Sequence, residues 1–352
     1  MFRTVSRQEI SNSAKIINAV GEGPSLHFLT RNGLAPLWFD FIINNGLKDD
    51  YPETFIEALK KQKQDTAALL LIQTRVLEQA HAIFEKEKIP YLVFKGADLR
   101  HTIYDDPAHR PVVDIDVLVP ASEKQRAIGC LAAAGFDFHP CVATVSHEAK
   151  LIMDGVTIDL HWKFMRPGRT RTDLTNYLLA HRTRSGQFWG TGYQASLIIM
   201  LVHPVFTKQL NSPSSMLVHL VDLHKLTGRK EIDWEGIVNT LDETGTKTAA
   251  WCSLYLLQQV TGEEEHVQIL QRLKPGHLHE RYLRLWIDRD LINRFWEFRF
   301  FVRGFFDLAL QDSVADALRA IILLGKSKKT ARKELKDLRK LYREKYYPPV
   351  RQ

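Results

Sequence analysis

Asp114 and Asp116 stand two positions apart in the run VVDIDVLV, residues 112–119. In an extended strand that spacing turns both carboxylates to one face, with Cα atoms about 6–7 Å apart. Val113, Ile115 and Val117 turn to the other face. Adjacent carboxylates repel, and a divalent cation such as Mg²⁺ keeps both ionised. The pair is also what a solvated strand edge carries by chance. A third carboxylate, Asp159, lies in VTIDLHW, residues 156–162. Here Val156, Ile158, Leu160 and Trp162 alternate with Asp159 and His161, so the polar pair shares a face opposite the apolar four. Three carboxylates on neighbouring strands suit two Mg²⁺ ions, with Mn²⁺ as the alternative. Such a centre neutralises a triphosphate, orients it in line and helps deprotonate an acceptor hydroxyl. Lys95-Gly96 follows the short apolar run Tyr91–Phe94. Glycine after a strand lets backbone N–H groups approach phosphate oxygens, and the lysine adds positive charge.

The elements that must position these residues form an α+β protein: a small mixed β-sheet core between N-terminal and C-terminal helical regions. The expected divisions are 1–88 (helical), 89–165 (core), 166–325 (helical) and 326–352 (basic helical tail). From Tyr51 to Lys88, Phe55, Ile56, Leu59, Leu69, Leu70, Ile72, Val76, Leu77, Ala80, Ile83 and Phe84 recur at three- and four-residue steps. No internal Pro or Gly interrupts them, which predicts one long amphipathic helix ended by Pro90. Short strands are expected at Tyr91–Phe94, Val112–Val119, Thr144–Met153 and Val156–Trp162. Between the first two lies a helix, Ala97–Tyr104. Another, with Ser122 at its N-cap and Gly135 as its C′ residue, runs to about Ala134. Asp154-Gly155 between the last two strands is a hairpin signal. From Thr172 to Leu324 the texture reads as helical, with segments Gln194–Phe206, Ser214–Leu226, Trp234–Asp242 and Thr246–Val260 separated by Pro213, Gly228 and Gly245.

Composition narrows the class. Of 352 residues, 45% are hydrophobic and 25% charged, which excludes a wholly disordered chain. Cys130, Cys141 and Cys252 are odd in number and lack CxxC spacing, so a cytoplasmic, reducing location is expected. The first twenty residues hold no uninterrupted apolar stretch of a secretory signal, so no cleavage is expected there. The most apolar windows, Ala195–Phe206 and Ala315–Leu324, fall short of the roughly 18–20 residues of a span, so both read as buried helices and no membrane partner is expected. The net charge is +7, yet residues 326–352 alone carry eleven Lys or Arg against three acids. Leu335, Leu338, Leu341 and Tyr342 give that segment one apolar stripe, and Pro348 and Pro349 mark its end. A basic helix of this kind is a candidate contact for an anionic partner, though solvated basic faces are common. GxxxxGK[ST], GxGxxG after a strand, GxSxG and HExxH are all missing.

The series VFKG, RPVVDIDVLV and VTIDLHW resembles the nucleotidyltransferase superfamily with the DNA polymerase β-like fold, in its branch of uncharacterised bacterial nucleotidyltransferases related to small antitoxin-type enzymes. That branch carries Lys-Gly, an Arg shortly before Asp-x-Asp, and Asp-x-His-Trp. Here these are Lys95-Gly96, Arg110, Asp114 and Asp116, and Asp159 to Trp162. LVDLHKLTGRKEIDWEGIV resembles the family's downstream helical segment, at Asp222, Asp233 and Trp234, and the likeness spans about residues 50–265. Ala97 follows Gly96, so the superfamily's phosphate-binding serine is replaced, with Lys95 beside the glycine in its stead. The resemblance implies Mg²⁺-dependent transfer of an NMP, AMP favoured, from an NTP, ATP favoured, to a hydroxyl of a small molecule, protein or RNA. Asp114, Asp116 and Asp159 would be catalytic metal ligands, and Lys95, Gly96, Arg110 and His161 would bind the nucleotide. Arg110 either clamps the triphosphate or is an exposed loop arginine. His161 contacts base, ribose or metal, or orients Asp159. Asp222 positions the acceptor or is a buried structural carboxylate, and Trp162 should pack in the core. The rival reading is a non-catalytic binding or antitoxin-like protein that keeps the fold.

Overall fold

The computed structural model describes residues 7–140, 147–206, 217–292 and 294–346. Cys141, Pro213, Pro348 and Pro349, the start of the expected Thr144 strand and the start of the expected Ser214 helix lie outside them. Helices α1 (Arg7–Val20), α2 (Glu22–Arg31) and α3 (Ala35–Asn44) lead into α4 (Glu53–Lys86). The core follows as β1 (Leu92–Phe94), α5 (Gly96–Thr102), β2 (Asp114–Leu118), α6 (Lys124–Ala133), β3 (Asp137–His139), β4 (Glu148–Met153) and β5 (Val156–His161). Next come α7 (Thr175–Ala180), β6 (Arg182–Ser185), β7 (Phe188–Thr191), α8 (Tyr193–Pro204), α9 (Val218–Thr227), α10 (Trp234–Thr244) and α11 (Lys247–Thr261). The chain continues through α12 (Val267–Leu273), α13 (His277–Asp288), α14 (Phe300–Ala309) and α15 (Val314–Tyr346).

The five-stranded sheet has the order β1-β2-β5-β4-β3. Only β2 and β5 pair in parallel, at its centre, and the other neighbours are antiparallel. The two-residue hairpin between β4 and β5 has positive φ at Asp154 (50°) and Gly155 (76°), as a type I′ turn requires. Period-two alternation then divides the sheet between two cores. Ile115, Val117, Ile158 and Leu160 pack with Val76, Leu77, Ala80 and Phe84 of α4 and with Ala127 and Leu131 of α6. Leu92, Phe94 and Leu118 face the other way, toward Leu197, Leu201, Leu223 and Leu254 of the C-terminal helices. A third core joins α1 to α3 with Phe55, Ile56 and Leu59, at the start of α4.

Three expectations are corrected here. Leu69 and Ile72, in the middle of α4, are exposed, because the helix, about 51 Å long, bridges two cores and between them turns a polar residue inward, the buried Gln73 bonded to Arg100 and the Val112 carbonyl. The region after Thr172 is not wholly helical, since β6 and β7 form a hairpin around Gly186 (φ +60°). Its alternating Arg and Thr, with Phe188 and Trp189, favour pairing of extended strands, and Arg184 stacks 4.1 Å from the Trp189 ring centroid. The basic segment from Lys326 does not start a separate element but is the second half of α15. Among the described residues no helix is long and apolar enough to cross a membrane.

Candidate active site

The parallel β2–β5 pairing sets the geometry. Its register places Asp116 opposite Asp159 and Asp114 opposite Thr157, so all three carboxylates stand on the sheet face turned toward the C-terminal helices. There they line a cavity of about 420 Å³ together with Lys95, Glu148, Arg166 and Arg169. Phe206, Phe295 and Asp307 close its far wall. The cavity therefore lies between the sheet and the helical region, with Asp114, Asp116 and Asp159 on its sheet side.

Each carboxylate has its own surroundings. Asp116 is buried, and its Oδ1 accepts from Lys95 Nζ at 2.7 Å and pairs with His161 Nε2 at 2.9 Å. Burial alone would raise its pKa, but the Lys95 charge and the His161 bond outweigh it and hold the carboxyl well below the usual range. Asp159 is pushed up to about 7, by burial first and then by the charges of Asp114, Asp116 and Glu148. Its Oδ1 is buried without a hydrogen bond among the described residues, and Lys150 Nζ lies 3.8 Å away. Asp114 is half-buried at the mouth of the same face.

Lys95 sits at the strand-to-helix turn with φ +58°, a region lysine rarely adopts. The strained turn aims its ammonium at Asp116, and the ammonium also rests 4.7 Å from the Phe94 ring centroid. Gly96 is needed for packing: a Cβ there would stand 3.3 Å from both Arg110 Nη2 and Val112 Cγ2. Gly96 lines a smaller adjoining pocket with Lys95, Asp114 and Asp116.

Arg110 is neither an exposed loop arginine nor free to clamp a phosphate. It is 3% exposed, and all three side-chain nitrogens are engaged. Nε and Nη2 donate to the Asp222 carboxylate at 2.8–3.0 Å, Nη1 donates to the Pro111 carbonyl, and Nη2 also meets His219. Tyr104 donates its hydroxyl to the same carboxylate at 2.6 Å. Asp222 is thus the buried structural partner of Arg110, joining the core to α9. His161, 1% exposed, orients Asp116, not Asp159. Trp162 packs in the core as expected.

Glu148 escaped the sequence reading, because no motif marks it. Its Oε2 lies 3.3 Å from His161 Nε2 and 3.4 Å from His147 Nε2, which adds a fourth carboxylate to the sheet side of the cavity. The signal was present in the turn: counting back from Asp154-Gly155 places Glu148 opposite His161 and Lys150 opposite Asp159. A tighter acidic group lies elsewhere. Asp40, Asp106 and His109 bring ligand atoms within 4.8 Å of one another. Lys63 Nζ already bonds Asp40 at 2.6 Å and Asp106 at 3.0 Å, so that cluster carries its own cation.

A family model described as uncharacterised nucleotidyltransferase matches residues 22–262, about two thirds of the chain. The match takes in the five-stranded sheet and helices α2 to α11, with Asp114, Asp116, Glu148 and Asp159, but not Phe295 and Asp307 of the far wall. No curated protein and no solved structure matches.

Proposed function

The chain belongs to the family of uncharacterised nucleotidyltransferases, and from that membership we propose that it transfers an NMP from an NTP, ATP favoured, to a hydroxyl acceptor. The observation that carries this reading is the convergence of Asp114, Asp116 and Asp159 from two paired strands on one cavity that also holds Lys95.

The donor set fits a hard divalent cation. All three ligands are carboxylates, which suit Mg²⁺ or Mn²⁺ rather than a softer metal. Their mutual repulsion and the unbonded Oδ1 of Asp159 are what a cation would relieve. Asp114, Asp116 and Asp159 would hold it, and when bound it supplies neutralisation of the triphosphate and a more acidic acceptor hydroxyl. The remaining work falls to the chain. Lys95 and Arg166 offer positive charge to the phosphates, and His161 with Glu148 fixes the rotamer of Asp116. The acceptor oxygen bonds to the α-phosphorus as the bond to the β-phosphate oxygen breaks. Pyrophosphate leaves with that electron pair, and the hydroxyl proton passes to a carboxylate oxygen of Asp159.

Purified protein incubated with each labelled NTP, Mg²⁺ and a cell lysate should leave nucleotide label on an acceptor. Label from the α-phosphate must be retained and label from the γ-phosphate lost as pyrophosphate. Mg²⁺-dependent ATP binding with no transfer to any acceptor would instead fit a binding protein that keeps the fold.

A further inference from the structure

Helix α15 is seated by one face. Asp316 accepts from Arg171 Nη2 at 2.8 Å, and Glu334 accepts from Lys124 at 2.9 Å. A Cβ on Gly168 would come within 3.0 Å of the Ala320 backbone, and Ala331, Leu335 and Leu338 are buried beneath the sheet. The opposite face is bare. Leu318, Ile321 and Ile322 are 56%, 51% and 56% exposed, and Val314 is 79% exposed. At 3.6 residues per turn, Val314, Leu318, Ile321, Ile322, Arg332, Lys336, Arg339 and Lys340 fall within about 60° of one line. All four of those basic residues are exposed, and none of the described acids of this helix, Asp316, Glu334 and Asp337, falls on the line. A single exposed stripe therefore changes from aliphatic to cationic along the helix. Phe300, Phe301 and Phe305 of the preceding helix α14 are exposed as well.

We infer that this stripe docks on an anionic membrane surface, its aliphatic half entering the headgroup boundary and its basic half meeting lipid phosphates. The association is peripheral, so it revises the expectation of no membrane partner without requiring a span. Charge and hydropathy together select this occupant. Nucleic acid would use the cationic half but has no place for Leu318, Ile321 and Ile322, which offer no ring for base stacking. A second copy packed in parallel would set the two basic halves against each other. Packed antiparallel, it would bury lysines against isoleucines. A bilayer interface takes aliphatic side chains and basic residues on one helix face.

The test is co-sedimentation of the full chain with vesicles of phosphatidylcholine alone or mixed in equal parts with phosphatidylglycerol. The protein should bind the mixed vesicles, more weakly as salt rises, and leave the neutral ones. Each basic residue near such a surface strengthens binding about fivefold, so Arg332→Glu with Lys336→Glu should weaken it at least about tenfold. Ile321→Ser with Ile322→Ser should cost at least about tenfold without changing charge. Both pairs replace exposed side chains and should leave the melting temperature unchanged. No binding to mixed vesicles, equal binding to neutral ones, or retention by the serine variant overturns the inference. So does elution as a dimer that the serine pair splits, which would assign the face to a second copy. Binding to duplex RNA that only the charge reversal abolishes, with vesicle binding absent, would assign it to nucleic acid.

Discussion

Asp114 and Asp116 share a strand face but differ in what holds them. Asp116 is locked by Lys95 and His161, whereas Asp114 stands half-buried at the cavity edge. Asp114→Asn should therefore leave the metal-free melting temperature unchanged or slightly raised, because it relieves like-charge repulsion, while abolishing transfer. Asp116→Asn should abolish transfer too but lower stability by about 1–3 kcal/mol, since it weakens the buried partner of Lys95. Thermal melts without metal separate the two, and an equal loss for both variants would contradict the assignment. Asp159 makes the third contribution at this scale. Its carboxyl, near 3.8 when unfolded, is raised to about 7 in the fold. Between those values the folded chain holds a proton that the unfolded chain has released, so this group's contribution to stability falls as pH rises through the window. Urea midpoints for wild type minus Asp159→Asn, metal-free, should decline from about pH 4 to about pH 7 and flatten above. A flat difference would show that the site does not raise this pKa.

At the scale of elements, a buried carboxylate ties the hairpin β6–β7 to α5, while Gln187 and Trp189 bond Glu78 and Glu85 of α4. Asp98 of α5 accepts from the Thr191 amide at 2.9 Å and from the Thr191 hydroxyl at 2.6 Å. Burial raises its pKa to about 6 even with these bonds. Gly190 is required beneath it, since a Cβ there would collide with the Asp98 carboxylate. Because α5 begins at the Lys95-Gly96 turn, the same carboxylate ties the hairpin to the element that aims Lys95. Asp98→Ala should cost about 1–3 kcal/mol by leaving the buried Thr191 amide unpaired, while the Thr191 hydroxyl keeps its bond to Ser196 at 2.6 Å. Hydrogen exchange should show the Thr191 amide opening first. Unchanged protection there would mean that strand pairing alone holds the hairpin.

At the scale of the whole molecule, the buried pair Arg110–Asp222 joins sheet core to helical region across 112 residues of sequence. Removing one member leaves an uncompensated buried charge, so Asp222→Ala should destabilise by about 3–5 kcal/mol. Replacing both, as Arg110→Met with Asp222→Leu, should recover much of that loss. Calorimetry decides: two separated transitions in Asp222→Ala would show that this pair holds the core and helical region in one cooperative unit. A single transition of unchanged midpoint would show that it contributes little.

Local sequence determined a good deal. Alternation in VVDIDVLV and VTIDLHW set which side chains share a face, and Asp154-Gly155 fixed the register of β4 and β5, because a two-residue turn allows no slip. Three- and four-residue spacing from Tyr51 to Lys88 placed α4, Glu53–Lys86, within two residues at each end, since the stop at Pro90 is local. What the sequence left open depended on partners far along the chain. Arg110 read as a triphosphate clamp or a loop arginine because its carboxylate lies 112 positions away, and Glu148 carried no motif because only strand pairing brings it to His161. The exposure of Leu69, Ile72, Ile321 and Ile322 was equally hidden. Periodicity states that a helix has an apolar face, but only the packed molecule decides whether another element covers it.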